Sequence, residues 1–191
     1  MRVLVKKKYF DICKKFAEES YPTHKHHYAK RNQFNKEKII EQITIGKLSE
    51  FAVYQVLSEK YPDITPPDVN VYERNKKSFD FDMKAKDINL HIKGQLGDSA
   101  KQYGQSWIFQ WSGDGKGHCD KEIFYPVTQN QYVSFVLMNK NVADVQAIVS
   151  LDFLHKNDLF KLPKLDYLHN TKRAVYWADL EKFSKEELWQ L

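Results

Sequence analysis

Residues 78–95 read SFDFDMKAKDINLHIKGQ, and apolar and polar side chains alternate through most of this stretch. Such alternation is typical of β-strands with one buried face, and it predicts strands over residues 78–84 and 88–95. The connection between them, residues 85–87, is short and polar, which favours an antiparallel hairpin. This hairpin decides the fold prediction, because it fixes which side chains share a face.

The predicted hairpin has one polar face. Successive side chains of a strand point to opposite faces, so Asp80 and Asp82 share one face of the first strand. On the second strand, His91, Lys93 and Gln95 occupy alternate positions, opposite isoleucine and leucine residues that are expected to face the core. Pairing of the strands therefore places two carboxylates beside an imidazole and an ammonium group.

Helices are predicted before the hairpin. Residues 6–19 and 36–60 have the apolar period of amphipathic helices, with Gly46 as a candidate break in the second one. The polar residues 21–35 between them are predicted to be irregular. Residues 69–73 alternate and predict a further strand, which would extend the hairpin to a three-stranded meander.

Further strands are predicted after the hairpin. Residues 107–111 contain three aromatic side chains and are predicted to be a buried element rather than a base-stacking surface. Residues 132–138 and 145–151 are the clearest remaining strands, and residues 179–191 are predicted to form a closing helix. The order of helices and strands predicts an α/β fold.

Size and composition exclude several protein classes. The chain has 191 residues, of which 42% are hydrophobic, as expected for one globular domain. No apolar run approaches the ~20 residues of a membrane span. Cys13 and Cys119 are the only cysteines, which indicates a reducing, cytoplasmic setting rather than a disulfide scaffold. Within the domain we expect a basic helical N-terminal segment, a core, and a C-terminal helical or irregular segment (residues 1–36, 37–151 and 152–191).

Positive charge is concentrated near the N-terminus. Residues 1–40 hold eleven Lys/Arg and four Asp/Glu, a local charge of 11 − 4 = +7, in a chain of net charge +5. Such a segment suits an anionic partner such as DNA, although a solvated helix face explains it equally well. The candidate DNA contacts are Lys6, Lys7, Lys8, Lys14, Lys15, Lys25, Lys30, Arg31 and Lys116. Residues 129–131, Gln-Asn-Gln, are of the kind that reads base edges or forms a plain turn.

A zinc site is the other metal chemistry that the sequence suggests. His24, His26 and His27, together with His118 and Cys119, supply nitrogen and sulfur ligands. Their spacing matches no familiar zinc module. We therefore expect these histidines to lie in solvent near a bound phosphate rather than to bind zinc.

The polar face of the hairpin matches the needs of metal-assisted phosphodiester hydrolysis. Carboxylate oxygens hold Mg²⁺, which keeps several of its waters. The metal lowers the pKa of a bound water and neutralises charge on the phosphate. A neighbouring lysine can orient the attacking water and stabilise the transition state.

The arrangement resembles the PD-(D/E)XK, or restriction-endonuclease-like, nuclease superfamily over roughly residues 46–138. Glu50 resembles the acid that many members carry on a helix before the meander, and Asp82, or Asp80, resembles the aspartate of the motif. Residues 91–93, His-Ile-Lys, resemble the (D/E)-X-K triplet. The resemblance implies a central mixed β-sheet flanked by helices, and DNA endonuclease activity that depends on Mg²⁺ or Mn²⁺.

His91 departs from the motif, because it occupies the place of the second acid. A neutral imidazole binds Mg²⁺ poorly and Mn²⁺ better. Asp80 and Asp82 together can restore the charge, or His91 can position a water instead of binding the metal. Gln95 has a weaker counterpart in some members of the superfamily. The alternative is a non-catalytic nucleic-acid-binding protein with a decayed nuclease fold, and double-strand cutting would need a homodimer or two nicks.

Overall fold

A computed structural model describes residues 1–29, 32–72, 81–111 and 130–191. The strands are β1 (Arg2–Leu4), β2 (Met83–Ala85), β3 (Ile88–Leu96), β4 (Ser106–Gln110), β5 (Gln131–Asn139), β6 (Val142–Ser150) and β7 (Lys172–Tyr176). The helices are α1 (Lys7–Ala29), α2 (Lys36–Leu57), α3 (Gly97–Tyr103), α4 (Leu151–Lys156), α5 (Trp177–Leu180) and α6 (Lys185–Leu188), with a 3₁₀ turn at Asp166–Leu168.

The main sheet is mixed, as predicted, and it has five strands in the order β1-β6-β5-β3-β2. Strand β3 runs parallel to β5, with His91 opposite Val133 and Lys93 opposite Phe135, whereas the other pairs are antiparallel. Strands β4 and β7 form a separate antiparallel pair. The α/β class and a mixed sheet flanked by helices are confirmed.

Both faces of the main sheet are covered. Leu90 and Ile92 of β3 join a core with residues of α2 such as Leu48. The alternate face carries Phe135, which packs with Trp107 of β4 in a second core. The predicted polar face of β3 therefore does not open freely to solvent, because β4 and β7 lie over part of it.

Helix α1 is longer than predicted. It continues to Ala29 through Pro22, so the prediction that residues 21–35 are irregular is wrong for residues 21–29. A proline inside a helix removes one backbone hydrogen bond and costs about 3 kcal/mol. Tertiary packing outweighs that cost, because an apolar stripe of α1 packs on α2; the stripe and its partners are Phe16, Ala17, Tyr21, Tyr28, Ile39 and Ile43.

Helix α2 runs without a break through Gly46, contrary to the alternative of two helices. Asn35 begins the helix, since its side-chain oxygen accepts the backbone N–H of Lys38 at 2.9 Å. This cap satisfies one of the donors that a helix start leaves unpaired. A continuous α2 carries Glu50 across the face of the sheet.

The predicted meander is only a hairpin within the described residues. Residues 69–72 form no strand, and the first hairpin strand begins at Met83 rather than at residue 78; residues 73–80 lie outside the described part. Thr65 takes the outer edge of β2 instead. Its N–H donates to the Lys84 carbonyl and its hydroxyl accepts the Lys84 N–H, both at 2.8 Å.

The C-terminal region also differs from its prediction. The single helix expected over residues 179–191 is two short helices, because Ser184 forms a capping box with Glu187 and starts a new helix there. Leu180 and Leu188 of these helices are buried. Strand β7 was not predicted, and it pairs with β4 above the second core.

Candidate active site

A cavity of about 590 Å³ lies where α1 and α2 meet the start of the hairpin. Glu50, Asp82 and His91 all line it, so three of the four principal site residues share one cavity. Asp68 and Lys47 line it as well. With His24 of α1, the wall combines three carboxylates, an ammonium group and two imidazoles, which is an unusual density of polar groups for a partly enclosed space.

Glu50 is held by a lysine of its own helix. Lys47 Nζ lies 2.7 Å from Glu50 Oε2, and both side chains are about nine-tenths buried. A buried carboxylate is costly unless it is paired, so Lys47 stabilises the ionised form. Burial, reinforced by the charge of Glu50 and opposed by that of Lys47, raises the pKa of the neighbouring Cys13 thiol to about 12.

Asp82 lies just before β2 and is fastened to the neighbouring strand. Its Oδ2 accepts the backbone N–H of Ile92 at 2.7 Å, and its own N–H donates to the Leu90 carbonyl at 3.0 Å. A hydrogen bond to a charged acceptor is among the stronger ones in proteins. The carboxylate is therefore oriented by β3, and Oδ1 takes no part in that bond.

His91 is only 3% exposed, which corrects the expectation that it points away from packed structure. Its Nε2 lies 2.9 Å from Oε1 of Gln131 on β5. A carbonyl oxygen accepts, so Nε2 carries the proton and the lone pair of the neutral ring is on Nδ1. Gln131, predicted to read base edges or to form a turn, instead fixes the orientation of this imidazole.

Lys93 lies two residues along β3 from His91, on the same face of the strand. Its Nζ is 5.2 Å from the centre of the Phe109 ring, a distance at which cation and ring attract. It lines a second cavity of about 370 Å³ rather than the first. The two cavities are neighbours, because Tyr28 and Gln42 line both of them.

Gln95 also lines the second cavity, but its amide has a structural role. Its Nε2 donates to the Gly104 carbonyl at 3.0 Å, and its Oε1 accepts the Ser106 N–H at 2.9 Å. These bonds tie β3 to the start of β4. Gln95 therefore helps to shape the cavity that Lys93 lines.

Asp68 is a site residue that the sequence prediction missed. Its Oδ1 accepts the backbone and side-chain N–H groups of Asn70 at 2.9 and 2.8 Å. Burial opposes ionisation, but hydrogen bonds from Asn70 and Tyr72 and the charge of Lys47 outweigh it, so the pKa of Asp68 is lowered. The Pro-Pro-Asp sequence of residues 66–68 signals only a turn, which is why Asp68 was not identified.

Two carboxylates of the first cavity are the candidate ligands for a divalent cation. Glu50 and Asp82 offer hard oxygen atoms in one cavity, and Mg²⁺ is commonly held by one or two carboxylates with water completing its shell. Among the described residues, no three His, Cys, Asp or Glu side chains are grouped closely enough to hold an ion by themselves. Asp80, the other predicted ligand, lies outside the described residues.

The histidines proposed for zinc separate on α1. His24 and His26 lie two residues apart, which places them about 200° apart around the helix. His24 Nδ1 pairs with the Ser20 carbonyl at 2.9 Å. His118, Cys119 and the side chain of His27 lie outside what the structure describes. In the described part, α1 therefore does not direct two histidines at one point.

The predicted basic residues lie at the start of α1 and along it. Lys6 precedes the helix, and the helical lysines that follow are all exposed; they are Lys7, Lys8, Lys14, Lys15 and Lys25. Lys15 pairs loosely with Glu19 at 3.8 Å. Lys30, Arg31 and Lys116 fall outside the described residues. Contact of this face with DNA stays a prediction.

Comparisons with protein-family models, with curated proteins and with solved structures found no match. Any function proposed for the chain therefore rests on the chemistry and geometry of its own residues. In the ranges that the structure describes, no helix has the length and apolar character needed to cross a membrane.

Proposed function

We propose that the chain is a divalent-metal-dependent DNA endonuclease with a site of the PD-(D/E)XK type. The observation that carries the proposal is that Glu50, Asp82 and His91 line one cavity, while Lys93 follows on the same face of β3 and lines the adjoining one. Glu50 comes from α2, whereas Asp82, His91 and Lys93 belong to the hairpin about thirty residues or more further along the chain. Their meeting at one edge of the sheet supports a shared role.

The two carboxylates would hold the cation. Asp82 is oriented by the Ile92 N–H, and Glu50 is held in place by its ion pair with Lys47. When bound, the metal would lower the pKa of a water and neutralise charge on the phosphate. Asp68, whose lowered pKa keeps it ionised, adds negative charge to the same wall.

Lys93 would act on the phosphate itself. An ammonium group in the adjoining cavity would donate to the attacking water and to an oxygen on which charge develops. His91 is a positioning residue in this scheme. Its ring is fixed through Nε2 by Gln131, so it would help to define the wall of the cavity beside Asp82.

Helix α1 would bring DNA to the site. Phe16, His24 and Tyr28 of this helix line the first cavity, whereas its exposed lysines lie outside the cavity lining on the rest of the helix surface. Lysines that contact phosphates release counterions, so binding should weaken steeply as salt rises. One such site cuts one strand, and cutting both would need a homodimer or two nicks.

Cleavage of supercoiled plasmid DNA tests the proposal. We expect nicking with Mn²⁺, weaker nicking with Mg²⁺ because of His91, and none with EDTA. Asp82→Asn and Lys93→Met should abolish nicking while the circular dichroism spectrum is unchanged. Lys101→Met is the matched control, because it removes an exposed lysine of α3, and it should cleave normally. Full activity of either site variant would overturn the proposal.

A non-catalytic DNA-binding protein is the second candidate. It is favoured by the imidazole at the place of the motif's second acid and by the engagement of Glu50 with Lys47. Such a protein would bind DNA in a salt-dependent manner. It would not cleave DNA, whichever divalent metal is added. The same gel, run with Mn²⁺, Mg²⁺ and Co²⁺, separates the two candidates.

A further inference from the structure

The second cavity has the size of a small-molecule site. It lies beside Lys93, between α2, β3, the start of β4 and residues 163–168, and holds about 370 Å³. Small-molecule sites in proteins begin at about 300 Å³, so the cavity has room for a ligand of the size of a single base. Because Tyr28 and Gln42 line both cavities, the second cavity lies next to the first one.

Two large apolar side chains in the lining of this cavity are exposed to solvent. Tyr103 and Ile108 line it and are 39% and 40% exposed, respectively. Leu162, just before the lining residues 163–165, is 51% exposed. Large apolar side chains that are exposed together usually mark a binding surface. Aromatic side chains next to a positively charged path are what proteins use to stack the bases of single strands.

Lysines lie on two sides of the same cavity. Lys93 lines it from β3, and Lys164 lines it from the segment that faces Gly104. Two ammonium groups around an apolar space match a nucleotide, in which a flat base is flanked by two phosphates. The lining holds no Asp or Glu side chain among the described residues, so nothing there repels a phosphate.

We propose that this cavity binds one unpaired base next to the scissile phosphate, and that the preferred substrate is therefore single-stranded DNA. The inference rests on the proposed function, since it assigns the scissile phosphate to Lys93. A base inside a duplex is stacked and paired, and extracting it costs a few kcal/mol, whereas an unpaired base enters without that cost. Duplex DNA should accordingly be the poorer ligand.

Binding without metal tests the base site separately from the chemistry. Fluorescence anisotropy in EDTA should show that a single-stranded oligonucleotide binds at least about tenfold more tightly than a duplex of the same length. Tyr103→Ala should weaken single-strand binding about tenfold, since stacking of one base contributes about 1–3 kcal/mol, and should leave duplex binding unchanged. The matched control is Tyr167→Ala, which removes a tyrosine that is 65% exposed and does not line the cavity.

An abasic nucleotide moved along the oligonucleotide gives a sharper readout. At one position, the abasic nucleotide should weaken the binding of the oligonucleotide to the unchanged protein. At that position it should not weaken binding to the Tyr103→Ala variant any further, because both changes remove the same stacking contact. Equal or tighter duplex binding, tighter binding of RNA, or additive effects at every position would overturn the base site. If the base site is overturned in this way but the protein cleaves duplex DNA, the nuclease proposal still holds. If single-strand binding depends on Tyr103 but no metal supports cleavage, the nuclease proposal is rejected and the base site is kept.

Discussion

The carboxylate of Asp82 accepts the backbone N–H of Ile92 at 2.7 Å, so this side chain is fixed against β3 between the positions of His91 and Lys93. The bond crosses from the residue before β2 to the middle of the longer strand. It explains how an acid outside a regular element keeps a defined place beside the polar face. The same bond gives the first prediction.

Asp82→Asn removes the negative charge of the side chain and should keep its hydrogen bond to the Ile92 N–H. An amide oxygen can still accept the Ile92 N–H, so the midpoint of thermal unfolding should change little. Cleavage should fall by about 100-fold or more, because a neutral amide does not hold a divalent cation as a carboxylate does. Asp82→Ala should lose the bond too, and should lower the free energy of unfolding by about 1.5–3 kcal/mol. Cleavage by Asp82→Asn at the normal rate would remove Asp82 from the site.

His91 and Gln131 should be energetically coupled. Gln131→Leu leaves the buried Nε2–H group without its acceptor, which should cost about 1–3 kcal/mol of unfolding free energy. His91→Leu leaves the glutamine amide unpaired at a similar cost. The double variant should lose less unfolding free energy than the sum of the two single losses, because it leaves neither polar group buried without a partner. Urea denaturation of the four proteins measures the coupling, and simple additivity would show that the pair is not formed.

Two glycines should respond in opposite directions to alanine. A Cβ at Gly94 would lie 2.1 Å from Ser49 Oγ and 2.9 Å from Ser49 Cβ, so α2 and β3 would have to separate. Gly94→Ala should destabilise the fold by about 1–3 kcal/mol and reduce cleavage, because α2 carries Glu50. A Cβ at Gly46 meets nothing within 4 Å, and Gly46→Ala should stabilise α2 by about 0.5–1 kcal/mol.

Unfolding in denaturant measures both glycine substitutions against the unchanged chain. The Gly46 variant serves as the control, since it makes the same chemical change within α2. Destabilisation of equal size at the two positions would mean that the close approach of Ser49 to β3 is not formed.

Cys13 should be inert in the folded protein. Its thiol is fully buried, and a pKa raised to about 12 leaves almost no thiolate at pH 8. Burial disfavours the charged form, so this group stabilises the fold below pH 9 and loses that contribution as the pH rises towards 12. Mass spectrometry after iodoacetamide treatment should find Cys13 unmodified until denaturant is added. Rapid modification under native conditions would contradict the buried position.

The sequence predicted the second strand of the hairpin well, because its pattern is local, whereas the first strand is Met83–Ala85 and not residues 78–84. Strand β3 was expected over residues 88–95 and is Ile88–Leu96, since alternation is a property of neighbouring residues. The assignment of Asp82, His91 and Lys93 to one polar face followed from the same parity. Nothing in that pattern could show that β4 and β7, which are distant in sequence, cover part of the polar face.

Long-range contacts explain the remaining differences. Pro22 predicts a helix end from local preference, but packing of α1 on α2 keeps the helix intact. The pairing of His91 with Gln131 depends on the parallel alignment of β3 and β5, forty residues apart. Asp68 lines the first cavity together with residues that are distant from it in sequence. None of these features follows from the spacing of residues along the chain.

Location of a bound Mn²⁺ ion tests the central claim most directly. Crystals grown with Mn²⁺ and a cleavage-resistant oligonucleotide should show an anomalous peak in the first cavity, within about 2.5 Å of a carboxylate oxygen of Asp82, with a phosphate next to Lys93. The peak should vanish in crystals of Asp82→Asn. A bound oligonucleotide without any peak in this cavity, or a metal bound elsewhere with its phosphate remote from Lys93, would contradict the account.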